Sequence, residues 1–363
     1  MWDQTYLLRH VPGQAYEDFD RVLDEAIERG YNTLRLDPLP QCVDLRTPDV
    51  EYHIPDNGLP FMPWQAGSAV DGPLARWNIE FMEKLLSRDL YYTLSAWWFC
   101  DTPYVPKAPR TPRNHVEAAE IWLTYLETWE ERFGFDRMVY LDIHNEIPYF
   151  IPNYGEYLYT GAGIEWGSGA KFTPEQAQFI ANDINGGLKT LRQRFPQLRF
   201  TGSIHGDLRW LDVPVEFECL DVHFYADADP RWTSRTRFDE FISKDVFKND
   251  SWFAEFSDRC TKTIKAIGPM LRANQRRKVA AFAEWGERMG MPLTTSESWS
   301  SWFYFDHPDL DWGWLNEWSA WTVEDAIDCR MWGWTPHNYA QPQFANWKNA
   351  KWHRDLNERF LKS

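Results

Sequence analysis

The sequence predicts an α/β protein, a single (β/α)8 TIM barrel over residues 1–363 with long aromatic-rich loops on its C-terminal face. Three observations carry this reading. Short apolar runs alternate with stretches of helical periodicity, as parallel βαβ units require. Eight such runs fit within the 363 residues, an ordinary length for this architecture. Nearly every run also stops at a side chain able to bind or react, which suits a barrel that works at the C-terminal ends of its strands. A doubly wound open sheet is the rival, but it would ordinarily carry a glycine-rich first turn, and none is found.

The elements follow in order. TYLLRH (5–10) reads as the first strand, and AYEDFDRVLDEAIERG as a helix with Phe19, Val22, Leu23, Ala26 and Ile27 on one face and Gly30 at its end. YNTLRLDP (31–38) is the second strand, halted by a proline. GPLARWNIEFMEKLLSRD is helical, and YYTLSAWWF (91–99) is the third strand. A helix over about 115–133 leads into MVYLDIHNE (138–146), the fourth. TPEQAQFIANDINGGLKTLRQRF opens with Thr173 as N-cap and Pro174 at the first helical position. It feeds LRFTGSIHG (198–206), the fifth strand, and ECLDVHFYAD (218–227) gives the sixth. After a helix-rich segment, KVAAFAEWG (278–286) reads as the seventh, and TVEDAIDCRMWGWTP as a short helix with an eighth near 329–334.

Composition narrows the function. A net charge of −16 argues against nucleic acid or an anionic membrane surface as partner, since both need a basic patch. The five cysteines are scattered, odd in number and never spaced CxxC, so a disulfide framework or zinc site is not expected. No cofactor is expected either, for want of a phosphate cradle. No run approaches a membrane span, and the N-terminus lacks the basic start and long apolar run of a leader, so the cytoplasm is the default compartment. The 22 Trp and 17% aromatic content exceed ordinary usage. Many of these rings must be core, yet indole faces also suit the flat C–H faces of sugars. In the densest stretch, residues 299–321, more rings are expected to pack than to bind. Trp64, in the long loop 55–72, is a candidate subsite wall.

Strand ends in order present Arg35 and Asp37, Trp97 and Trp98, then His144, Asn145 and Glu146. His205 and Asp207, His223 and Tyr225, Glu284, and Trp332 and Trp334 complete the series. Glu146 after strand four and Glu284 after strand seven would face each other across the mouth. Two carboxylates flanking a scissile bond are the apparatus of glycoside hydrolysis: about 5–5.5 Å apart for retention and roughly 6.5–9.5 Å for inversion. Taken singly, Glu146 could be an ion-paired loop acid and Glu284 a helix N-terminal acid. The three histidines could be metal ligands, but no HxH or HExxH spacing occurs, and no metal is expected.

At these residues the chain resembles the clan A glycoside hydrolases, the "4/7" superfamily of retaining (β/α)8 enzymes. Asn145-Glu146 matches the clan's pair after strand four, which implies Glu146 as acid/base and Asn145 on the sugar 2-hydroxyl. Glu284 in AFAEWG would be the nucleophile, Arg35 its support, and His223 and Tyr225 in DVHFY its neighbours. Trp332 or Trp334 in MWGWTP would floor the sugar subsite. Trp97 and His205 join these as expected substrate contacts. The usual proline after the acid/base is Ile147 here, with Pro148 one place later, and the segment after Glu284 is unusually long. The resemblance implies a retaining hydrolase of β-linked glycosides or oligosaccharides, with an acid/base whose pKa lies above the ordinary Glu value. A non-catalytic carbohydrate-binding barrel and a metal-dependent sugar hydrolase or isomerase are the alternatives.

Overall fold

The computed structural model describes residues 2–4, 6–54, 69–98, 110–151, 153–165, 169–243, 251–302 and 306–363. Trp64, Phe99 and Cys100 lie outside them. The fold is a (β/α)8 barrel. Its first half is one continuous parallel sheet: β1 (Trp2–Gln4), β2 (Thr33–Leu36), then, past a small antiparallel hairpin of β3 (Tyr52–Ile54) and β4 (Val70–Gly72), β5 (Tyr91–Leu94) and β6 (Met138–Asp142). The fifth barrel strand is split, so that β7 (Phe200–Thr201) pairs with β6 while β8 (Ile204–His205) pairs with β9 (Leu220–Tyr225). The seventh is split likewise into β10 (Leu293–Thr294) and β11 (Ser298–Trp299), both parallel to β9. Residues 331–334 supply the eighth, joined to the seventh by Trp332 N–H to Leu293 O (2.6 Å) and Thr295 N–H to Gly333 O (3.3 Å).

Local chemistry sets most boundaries. Helix α1 (Phe19–Glu28) is capped by Asp18 and buries Phe19, Val22, Leu23 and Ala26; Gly30, at φ 79°, takes the left-handed turn that ends it. Helices α2 (Leu74–Leu86), α3 (His115–Phe133) and, past the short α4 (Tyr154–Gly161), α5 (Pro174–Arg194) follow. Thr173 and Gln176 form the reciprocal capping box at the start of α5, with Pro174 in the first turn.

Besides the split fifth strand and a fourth that ends at Asp142, three elements differ from the sequence reading. The first strand lies at 2–4, and Leu7–Arg9, inside the expected strand, winds as a 3-10 turn. The third strand stops at Leu94. The largest change concerns KVAAFAEWG: after α6 (Pro230–Thr236) and α7 (Phe238–Ser243), it forms the last turns of a 39-residue helix, α8 (Ser251–Met289). Its apolar residues recur at helical spacing, so Val279, Phe282 and Trp285 are buried while Glu284 and Glu287 face solvent. Gly290, at φ 72°, closes that helix, and the true seventh strand begins only after Pro292. Helix α9 (Gly313–Asp328) and α10 (Ala350–Leu361) complete the outer layer. Of the aromatic stretch 299–321, Trp299, Trp314 and Trp318 are core residues and Trp302 is exposed. No helix among the described residues is long and apolar enough to cross a membrane.

Candidate active site

The polar centre begins on β2. Leu34 and Leu36 are buried in the apolar core and Arg35 between them is 1% exposed. A buried guanidinium must have partners. Arg35 Nη1 donates to Glu297 Oε1 at 2.6 Å, and Nη2 donates to Ser95 Oγ at 2.8 Å and to Asn145 Oδ1. Arg35 therefore ties the second, third, fourth and seventh strands at one point.

Glu146 follows β6 in a left-handed conformation, φ 55°, which a side chain other than glycine rarely adopts. Its neighbours hold it there: Glu146 N–H donates to Ser203 Oγ at 2.8 Å, and Ile147 N–H to Ser203 O at 2.8 Å. Gly202 makes room, since a Cβ there would fall 2.4 Å from Ile147 Cδ1. A strained acid this firmly over-determined is a mark of function. His223 Nδ1 lies 2.8 Å and His205 Nε2 3.0 Å from the same Glu146 Oε1.

Opposite stands Glu297, between β10 and β11 and wholly buried. Besides Arg35 it accepts from the Tyr225 hydroxyl at 3.1 Å. Ligating atoms of Glu146, His223 and Glu297 all lie within 4.8 Å of one another. Beneath them two buried aspartates act as girders. Asp142 accepts from Ser95 Oγ, Ser203 Oγ and Ser203 N–H, each at 2.8 Å. Asp221 accepts from Ser296 N–H at 2.9 Å, Ser296 Oγ at 2.7 Å and Tyr140 hydroxyl at 2.8 Å.

The electrostatics divide the two glutamates. Burial alone pushes the Glu146 carboxyl up, but His205 and His223 outweigh it and hold it well below the usual carboxylate range. Burial pushes His205 down, and the Glu146 carboxylate more than reverses this, raising it above the ordinary imidazole value. The expected upward shift of Glu146 is thus not what its surroundings produce. Each of the two groups thus favours the charged form of the other.

The structure brings Arg35, Asn145, Glu146, His205, His223 and Tyr225 together. Trp97 lies at the same mouth, its N–H on Asp37 Oδ2 (3.0 Å) and its ring 4.9 Å from Phe150 in the loop after Glu146. Three expected residues are elsewhere. Glu284 is on the solvent side of α8. Trp332, stacked under Arg199, lines a 260 Å³ hollow with Thr33, Tyr91 and Val139. Those are strand beginnings, so this is the opposite end of the barrel. Trp334 lines the same hollow and is buried against Phe360. His144 supports the site from behind, packed on His115 and bonded to Tyr149 O.

Glu297, Asp142, Asp221, Ser203 and Ser296 were not foreseen. For Glu297 a signal existed: Gly290 and Pro292 end a helix, and LTTSESW then offers a short β-branched run broken by one acid.

The model of a family described as "Cellulase-like: Sugar-binding cellulase-like" matches residues 1–361. Among solved structures, a protein of Parabacteroides distasonis ATCC 8503 provisionally named a glycoside hydrolase is 24% identical, with TM-score 0.80 over 99% of this chain and 92% of its own. Cel5A of Thermotoga maritima, solved with mannotriose, is 14% identical, with TM-score 0.52 over 99% and 96%. The exo-β-1,4-mannosidase Op5Man5 of Opitutaceae bacterium strain TAV5 is 12% identical, with TM-score 0.50 over 98% of this chain and 54% of its own. No curated protein sequence matches the chain significantly.

Proposed function

We propose, from the premise that this chain belongs to the sugar-binding cellulase-like family, that it hydrolyses β-linked glycosides with retention, Glu297 being the nucleophile and Glu146 the acid/base. One observation carries the reading. Two glutamates from the fourth and seventh strands each present one carboxylate oxygen within 4.8 Å of the other's, a spacing that fits the ~5–5.5 Å between the carboxyl groups of retaining enzymes better than the roughly 6.5–9.5 Å that makes room for an inverting water.

The surroundings supply the roles. Glu297 pairs with Arg35, a cation at every working pH, and with the Tyr225 hydroxyl. It is the group to attack the anomeric carbon as a carboxylate while the bond to the leaving oxygen breaks. That oxygen takes a proton that passes from His205 through Glu146 across their 3.0 Å contact, which leaves His205 neutral and Glu146 a carboxylate. Water then attacks the glycosyl–Glu297 ester, Glu146 accepts its proton, and the Glu297 carboxylate leaves. Asn145 Oδ1 is held by Arg35 and Ser203 while its buried Nδ2 has no partner among the described residues. That donor is free for a sugar hydroxyl, where a bond that strengthens at the transition state adds rate.

A cation held by Glu146, His223 and Glu297 would sit beside the Arg35 guanidinium, 2.6 Å from Glu297. Like charges at that range repel, which disfavours a metal-dependent reading. Support for the whole chain, 1–363, as one catalytic domain is the hydrophobic cluster that runs from Tyr6 to Leu356.

An activated 2-deoxy-2-fluoro β-glycoside tests the assignment. The expected result is one glycosyl mass on the peptide holding Glu297. Labelling of Glu284, or turnover with inverted product, overturns it.

A further inference from the structure

Beside the acid/base opens a cavity of about 450 Å³. His223 and Tyr225 form its inner end, and they are the residues that touch Glu146 and Glu297 respectively. From there it runs past His205 and Tyr149, under the loop after β8, to Asn274 and Lys278 on α8. Neither catalytic glutamate is part of its wall beyond these contacts, and it extends on the Glu146 side. A group that protonates the leaving oxygen borders the space the leaving group occupies, so the cavity is placed for the aglycone.

Its charges decide what that aglycone carries. Two acids line it, and each has its own guanidinium. Asp207 is held by Arg209 at 2.6 Å and 2.7 Å. Asp229 accepts from Arg231 Nη2 at 2.7 Å and from Asn274 Nδ2 at 3.1 Å. His205 is occupied by Glu146. Lys278 is the exception: it lines the cavity half-buried and makes no ion pair or hydrogen bond with any described residue. Burial pushes its ammonium below the ordinary lysine range, with Asp229 and Asp207 opposing. A desolvated, unpartnered ammonium facing a cavity is an incomplete ion pair.

Building on the hydrolase reading, we propose that this cavity is a leaving-group subsite for an aglycone bearing one negative charge, a carboxylate or a sulfonate, which Lys278 recognises. One ammonium matches one monoanion. A doubly charged phosphate would leave excess negative charge beside Asp207 and Asp229.

The test uses matched phenyl, 4-carboxyphenyl and 4-sulfophenyl β-glycosides of glucose, mannose and galactose, assayed with the wild type, Lys278→Gln and Lys278→Arg. For each sugar cleaved, at least one charged aglycone should show a KM roughly five- to tenfold below its neutral match, the scale of a partly desolvated ion pair. The preference should vanish in Lys278→Gln and return in Lys278→Arg, while the neutral glycoside keeps its KM in all three. That constancy also reports that the variants fold. No preference in the wild type, or one that survives Lys278→Gln, overturns the subsite. If no glycoside is cleaved, the hydrolase reading is what fails. Equilibrium binding of the aglycones themselves, 4-hydroxybenzoate and 4-hydroxybenzenesulfonate against 4-hydroxybenzamide, then decides the subsite by the same criterion.

Discussion

The two glutamates at the barrel mouth stand in opposite kinds of company. Glu297 meets Arg35, whose charge is permanent, and a tyrosine hydroxyl. Glu146 meets two imidazoles, and one of them has a side chain 37% exposed toward the cavity. A guanidinium beside a carboxylate favours its ionised form. A carboxylate shared between histidines can take up and release a proton. The chemistry needs both kinds, and the fold supplies each from different strands.

The largest test of this contrast is removal of each acid in turn. Glu297→Gln should lower kcat on the order of 10⁴–10⁶-fold, the loss expected when a nucleophile goes. Glu146→Gln should cost less, about 10²–10⁴-fold, and less again on aglycones that leave without protonation. Glu284→Gln should fall within about twofold of the wild type, as surface changes do. Steady-state rates on phenyl and 2,4-dinitrophenyl glycosides check all three. Equal losses for Glu297→Gln and Glu284→Gln would erase the distinction.

The same contrast explains what was legible in the sequence. Arg35, Asn145 and Glu146 end strands that are short, apolar and flanked by well-marked helices, so periodicity located them. The clan A resemblance rested on these three, on His223 and Tyr225, and on Glu284 and Trp332 or Trp334; the first five meet, and the last three lie elsewhere. The seventh strand was misplaced because Val279, Phe282 and Trp285, read as a run, look like a buried strand. Only their continuity with 28 preceding helical residues, 251–278, separates the two readings. The true strand is two dipeptides divided by Glu297, with too few apolar residues to register. Trp332 and Trp334 failed for a related reason. Tryptophans near the eighth strand were assigned to its C-terminal end, whereas Trp332 pairs with Leu293, at the beginning of the seventh. The coupling of His205 to Glu146 was not legible at all, since it depends on a 3.0 Å contact between residues 59 positions apart (205 − 146).

A smaller and sharper test addresses that contact. In the wild type the acid form is lost as the raised His205 pKa is passed, so the alkaline limb of kcat/KM lies above the ordinary imidazole value. His205→Gln removes that imidazole and leaves the Glu146 carboxyl, a stronger acid than imidazole, to set the limb, which should move to lower pH. A residue that only packed would reduce the rate and leave the limb in place. A limb that stays or moves to higher pH removes His205 from the proton's path.

A third carboxyl completes the comparison, because among the described residues it meets neither arginine nor histidine. There Asp227, after β9, accepts only from neutral donors: the Trp232 indole at 2.8 Å, the Trp302 N–H at 2.7 Å and the Ser301 hydroxyl. Burial pushes it up to about 7, and these bonds only partly oppose the rise. Its unfolded value is near 3.9. Between those two values the folded chain holds a proton that the unfolded chain has released, so the group's contribution to stability is full below about pH 4 and declines as pH rises to about 7. Asp227→Asn, which cannot ionise, should lose this slope. Urea unfolding from pH 4.5 to 7.5 should show the variant gaining on the wild type by on the order of 1 kcal/mol, the full shift being discounted for partial solvent access. Parallel curves would mean that Asp227 ionises in the fold as easily as in water, and that neutral donors alone hold a carboxylate here as well as Arg35 holds Glu297.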